Sequence, residues 1–240
     1  MKESENQLQM YVNEIREKLK TANSKKPIVI EISGTPKAGK TTYIDSLKVF
    51  LRRSGIKVKS IHEGASVCPV EDKNNWFFNV WTLNYAINSL IQNIYAPVPH
   101  IDVLIVERAL FDSICWFKWF KEKGSLTDEE YKKIIEFISM ERYTSLIDMV
   151  CVMKADAETA LNRENENMII LGSGRIMNSK TIKEINKVID EVVKDYSPLF
   201  KNKVFEIDTS KFTINEKNIS ITKLLLENMN AMLQKAPQRV

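Results

Sequence analysis

The sequence is short of glycine, with 7 in 240 residues, where average usage of roughly 7% would supply about 17. That scarcity excludes collagen-like chains and makes each glycine a marker of a backbone position that needs one. Cysteine is scarce too. Cys68, Cys115 and Cys151 are an odd number at long spacings, which fits neither a disulfide framework nor a zinc site and predicts reduced thiols in packing roles. No apolar run approaches the roughly 18 residues of a membrane helix. The first residues, Met1-Lys2-Glu3-Ser4-Glu5-Asn6, lack the apolar core of a signal peptide, so a cytoplasmic protein without a membrane partner is expected. Nor does one sign of charge dominate: 35 basic and 31 acidic residues leave +4, spread along the chain, which argues against nucleic acid as a partner.

What remains is ordinary for a globular protein, 44% hydrophobic and 28% charged, and the length suits one domain with an appendage. Leu8, Val12, Ile15 and Leu19 recur at helical spacing and predict an amphipathic N-terminal helix within an appended segment, 1–26. The period then changes. Ile28–Ser33 is a short, mostly β-branched run that leads into Gly34 and a helical stretch over 40–53, closed by Ser54-Gly55. Further strands are expected at 58–62, 103–106, 147–153 and 204–207. Helices are expected at 75–95, 110–123, 127–143, 156–166 and 179–195, with a last one at 216–234 inside the C-terminal segment 213–240. Val103–Val106 is continuously apolar and should lie inside a parallel sheet. The alternation predicts one α/β domain over 1–240, a parallel sheet between layers of helices.

The chemistry is concentrated at Gly34-Thr35-Pro36-Lys37-Ala38-Gly39-Lys40-Thr41, which matches G-x-x-x-x-G-K-[ST] at every fixed position and lies between a predicted strand and a predicted helix. Such a loop turns its backbone N–H groups around phosphate oxygens, at the positive end of a helix dipole. Lys40 would reach the β- and γ-phosphates of ATP. The Thr41 hydroxyl would complete a magnesium shell, and Thr42 extends the nucleotide-contacting run. Absences narrow the class. There is no N-K-x-D guanine motif, because Asn186-Lys187-Val188-Ile189 places Asp190 one residue late, no D-x-x-G switch, and no Leu-Ser-Gly-Gly transporter signature.

In a doubly wound sheet, ligands meet residues at the carboxyl ends of strands. This places Glu107-Arg108, after the third strand, beside the loop, the acid to hold magnesium and the arginine to orient phosphate. Glu63, after the second strand, is positioned to accept a proton from a substrate hydroxyl. His62, beside it, reads as packed on the other side of the pleat. Asp102 and Asp148 precede their strands at the opposite edge and read as structural. Trp76, Phe77, Phe78 and Trp81 could stack on a flat base or fill a core. Phe111–Phe120, apolar nearly all round, predicts burial or a homodimer interface. The polar stretch 163–178 carries Arg163, Gly172, Gly174 and Arg175 and reads as a closing lid that places cations on developing charge. Asp208-Thr209-Ser210-Lys211 could wrap the nucleotide base.

This order of parts resembles the P-loop nucleoside and nucleotide kinases, especially the thymidylate kinase and deoxynucleoside kinase group, over most of residues 27–212. In deoxynucleoside kinases a Glu-Arg-Ser motif ends the third strand and a glutamate after the second serves as base; here the stretches read Glu107-Arg108-Ala109 and Glu63-Gly64-Ala65. The resemblance implies a three-layer P-loop fold with a five-stranded parallel sheet. It implies transfer from magnesium-ATP to a small-molecule acceptor, a nucleoside or nucleotide. The residues alone leave open an ATP-binding regulatory module and an end-directed polynucleotide kinase.

Overall fold

The computed structural model describes residues 2–21, 26–95, 100–166, 177–201 and 203–235. In chain order the elements are α1 (Lys2–Thr21), β1 (Ile28–Gly34), α2 (Lys40–Arg53), β2 (Val58–Ile61), α3 (Trp76–Tyr95), β3 (Val103–Glu107) and α4 (Leu110–Glu122). There follow α5 (Asp128–Ile138), α6 (Glu141–Thr144), β4 (Met149–Lys154), α7 (Ala157–Glu166), α8 (Ser179–Tyr196), β5 (Val204–Asp208) and α9 (Ile214–Lys235). The strands form one parallel sheet in the order β2-β3-β1-β4-β5. The expected three-layer P-loop kinase-like architecture is therefore present.

Strand alternation divides the core. Ile28, Ile30, Ile32, Val103, Ile105, Met149 and Cys151 pack on one face with α1, α2 and α9. Val29, Leu104, Val106, Val150 and Val152 pack on the other with α3, α4 and α8. β1 is buried along its whole length, which is why it is apolar on both faces. Its exception, Glu31, points into the α4 side, where it has a specific partner described below.

α1 lies against α9, burying Val12 and Ile15, and Tyr11 donates to Glu227 across the seam at 3.1 Å. α4 is covered by α3, α5 and α8 of the same chain, so burial accounts for its apolar circumference. The single helix expected over 127–143 is two. Thr127 caps α5 in a reciprocal box with Glu130, and the helix stops at Ile138. Met140, with extended backbone (φ −53°, ψ 129°), starts the separate turn α6. Asp102 and Asp148 are structural, as expected: they accept from the backbone N–H groups of Lys57 at 2.7 Å and Val29 at 2.9 Å. The described cysteines are all free. Among the described residues no helix is long and apolar enough to cross a membrane.

Candidate active site

The sheet order reverses around β1 and β3, and a cleft of about 1590 Å³ opens at the carboxyl ends of these strands. The loop after β1 forms its floor. Gly34, at φ 123°, has no room for a side chain, since a Cβ would stand 2.0 Å from the Met153 carbonyl oxygen; that carbonyl instead accepts from Thr35 N–H at 3.0 Å. Lys37 takes left-handed backbone (φ 59°) and Gly39 closes the loop at φ 86° as the N-cap of α2. Strain held at such a turn is characteristic of ligand clamps. Asn186 of α8 bonds the Thr35 hydroxyl and donates to the Ala155 carbonyl. The asparagine that failed the guanine motif thus anchors the loop from behind.

Lys40 is buried, and its ammonium donates to the carbonyls of Thr35 (2.8 Å) and Gly34 (3.3 Å). Burial, with help from Arg108, pushes its pKa down to about 7. Thr41 Oγ1 donates to Glu107 Oε1 at 2.7 Å. These are hard oxygen donors, and among the described residues no cluster of three or more His, Cys, Asp or Glu is placed to hold an ion. One carboxylate and one hydroxyl fit magnesium, which keeps its waters and takes the rest of its shell from substrate phosphates. His62 departs from its expected packing. β2 ends at Ile61, so strand alternation no longer governs the next residue. The imidazole is half-exposed, with Nδ1 3.6 Å from Glu107 Oε2.

Beside the loop, and bonded to its first residue through Asp112, stands a closed network of charges. Arg108, in left-handed backbone (φ 56°), donates to Glu63 Oε2 at 2.6 Å and to both oxygens of Asp112 at 2.9 and 2.8 Å. Its guanidinium lies 5.6 Å from the Trp116 ring centroid. Asp112 also accepts from Ser33 Oγ at 2.7 Å, from Gly34 N–H and from Trp116 Nε1 at 2.8 Å. The Arg108 guanidinium holds its carboxyl below the usual range against the opposing effect of burial. Glu31, fully buried beneath, accepts from the N–H groups of Ala109, Phe111 and Asp112 at 2.8 to 3.1 Å. It caps α4 from a neighbouring strand, since Ala109 at the N-cap has no side-chain acceptor. Burial pushes Glu31 up to about 7.

Sequence reasoning missed Glu31 and Asp112. Both had a signal. Glu31 is a carboxylate in the middle of an otherwise apolar central strand, and Asp112 and Trp116 stand four apart on one face of α4, with Arg108 four residues before Asp112. Phe78 and Trp116 line the cleft with the buried Asn79, whereas Phe77 is exposed and Trp81 stacks on Tyr85 with centroids 5.5 Å apart. Arg163 belongs to α7. Its guanidinium donates to the Lys37 carbonyl (3.2 Å), to Thr209 Oγ1 (3.1 Å) and to the Thr209 carbonyl (2.8 Å), joining the phosphate loop to the segment after β5. Lys37 pairs with Glu164 at 2.5 Å. Gly172, Gly174 and Arg175 of the expected lid lie outside the described residues.

No family model and no curated protein matches this chain. Solved structures do. Deoxyadenosine kinase from M. mycoides with bound dCTP superposes with a TM-score of 0.59 at 18% identity, covering 85% of this chain and 100% of that one. The same enzyme with bound dATP gives 0.59 at 17% identity, covering 82% and 98%. With dCMP and a flexible dCDP bound it again gives 0.59 at 18% identity. The expected likeness to P-loop nucleoside kinases thus holds at the level of the fold.

Proposed function

We propose that the protein is a kinase that transfers the γ-phosphoryl group of magnesium-ATP to a nucleoside or nucleotide, with a nucleoside hydroxyl the acceptor best suited to Glu63. The observation that carries this reading is the Glu63–Arg108–Asp112 network gathered at the same loop as Lys40 and the Thr41–Glu107 pair. A binding module needs the loop; it has no need of a carboxylate and a fixed guanidinium held beside it. The kinase fold of the structural neighbours adds to this reading.

In this mechanism the loop N–H groups and Lys40 hold the phosphates, with Lys40 exchanging its two carbonyl acceptors for phosphate oxygens. Thr41 and Glu107 would hold magnesium, which would supply neutralisation of charge on the transferring group. Glu63 accepts the proton of the attacking hydroxyl, and Arg108 orients and neutralises the phosphoryl oxygens. Arg163 keeps the loop and the segment after β5 in register, and Phe78 and Trp116 offer flat walls to a base.

The test is acceptor-dependent formation of ADP and a phosphorylated product from magnesium-ATP across a panel of ribo- and deoxynucleosides and their monophosphates. Glu63→Gln should keep ATP affinity and lose about 10²- to 10⁴-fold in turnover. Tight ATP binding with no product from any acceptor would overturn the reading in favour of a regulatory module.

A further inference from the structure

Lys217 lies on the first turn of α9 and is 3% exposed, facing the cleft beside Gly39. With Ile221 and Leu225, both fully buried, it forms one stripe at four-residue spacing, so a lysine occupies a place where the helix pattern calls for an aliphatic side chain. Its Nζ stands 2.7 Å from the point that a Cβ on Gly39 would occupy. Among the described residues this ammonium makes neither a hydrogen bond nor an ion pair. The adjacent Glu216 is not its counter-ion, because that carboxylate accepts from the N–H (3.1 Å) and hydroxyl (2.7 Å) of Thr213 in the cap of α9.

The charge that acts on Lys217 has the same sign. The nearest charged group acting on it is Arg163, and burial together with that cation lowers its pKa from the ordinary lysine value. The N-terminal ends of α9 and α2 add partial positive charge. An ammonium at the cleft wall with no counter-ion adds little to stability, so replacing it with an apolar residue of similar shape should cost the nucleotide-free protein nothing. An anion from outside is the partner the site lacks.

We propose that Lys217 is a nucleotide-binding residue whose ammonium donates to an oxygen of the phosphate next to the nucleoside in the ATP held on the phosphate loop. This rests on the reading that the loop binds ATP. The choice of phosphate follows from where the two buried lysines stand. Lys40 bonds the carbonyls of Gly34 and Thr35 at the start of the loop, and such a lysine serves the β- and γ-phosphates. Lys217 stands at the loop's other end, at Gly39, where α2 begins and the α- and β-phosphates are cradled. Gly39 therefore has a second reason to be glycine besides its left-handed φ: any side chain there would occupy the place of the ammonium.

The experiment compares wild type, Lys217→Met and Lys40→Met by calorimetric titration with ATP and with ADP, in magnesium, alongside thermal melts of each protein without nucleotide. Lys217→Met is expected to weaken ATP and ADP by the same factor, about 10- to 100-fold. It should raise the KM for ATP more than it lowers kcat, and the nucleotide-free protein should melt at an equal or higher temperature than wild type. Lys217→Gln should behave alike, guarding against an effect of the methionine side chain itself. Unchanged affinity for both nucleotides, or a lower melting temperature with affinity kept, would overturn the proposal by making Lys217 structural. A loss confined to ATP would overturn the assignment to the nucleoside-proximal phosphate. If wild type and Lys40→Met bind ATP equally, the reading of the loop itself fails, an outcome distinct from failure at Lys217.

Discussion

The two rims of the cleft treat their charges in opposite ways. On the β3–α4 rim Arg108 is held between Glu63 and Asp112, and Asp112 in turn takes hydrogen bonds from Ser33, Gly34 and Trp116. On the loop–α9 rim the Lys40 ammonium hydrogen-bonds only carbonyl oxygens, with Asp112, Glu63 and Glu107 acting on it through space, and Lys217 has no partner among the described residues. A charge matched inside the chain keeps its geometry whether or not ligand is bound, which suits groups that must be aimed before the reaction. A charge left unmatched stores an attraction that only a ligand can satisfy, which suits groups that bind. Under the proposed function the first rim would serve to position and the second to receive an anion.

The largest break in that contrast comes from Asp112→Ala. It removes the main carboxylate on Arg108 and strands the Trp116 and Ser33 donors in a buried site, so urea denaturation should show a loss of about 4 kcal/mol. Lys217→Met on the opposite rim removes a charge that has no partner and should not destabilise the protein. If both substitutions cost the same, the two rims do not differ as described.

A somewhat smaller effect reads the rim's buried support. Glu31 has a folded pKa raised from 4.5 to about 7, so between those values the folded state binds a proton that the unfolded chain has released. Stability from this group is therefore full below about pH 4.5, falls as pH rises, and levels off above about pH 7, a span of about 3 kcal/mol. Relative to wild type, Glu31→Gln should flatten that slope in denaturant melts taken across the window. An unchanged slope would place the titration elsewhere.

Much of this arrangement was legible from the residues. The loop, its flanking strand and helix, and the Glu107-Arg108 pair follow from local pattern, because a phosphate loop imposes spacing and a parallel strand imposes a continuous apolar run. The network behind them did not follow, since Glu31 meets α4 and Ser33 meets Asp112 only through the packing of β1 under a helix some eighty residues later in the chain. Lys217 was hidden for the same reason. Its place on the stripe with Ile221 and Leu225 could be read from the spacing, but only the seating of α9 beside Gly39 shows that this stripe reaches the phosphate loop. His62 was misplaced by a single residue: counting it as strand sent it to the wrong face.

That misplaced histidine offers the finest test of the contrast. His62 belongs to the paired rim by position, yet it is half-exposed and 3.6 Å from a Glu107 oxygen, beyond hydrogen-bond reach and open to solvent screening. If the rim's strength lies in buried, mutually bonded groups rather than in mere nearness of opposite charge, His62→Asn should shift stability by no more than about 0.5 kcal/mol. Glu107 keeps its bond from Thr41 in that variant, so the magnesium concentration for half-maximal turnover should also move only slightly, by about twofold or less on the scale of an exposed ion pair. A loss as large as that of Asp112→Ala would mean that long, exposed contacts also organise this rim, and the division between a positioning rim and a binding rim would have to be redrawn around Glu107.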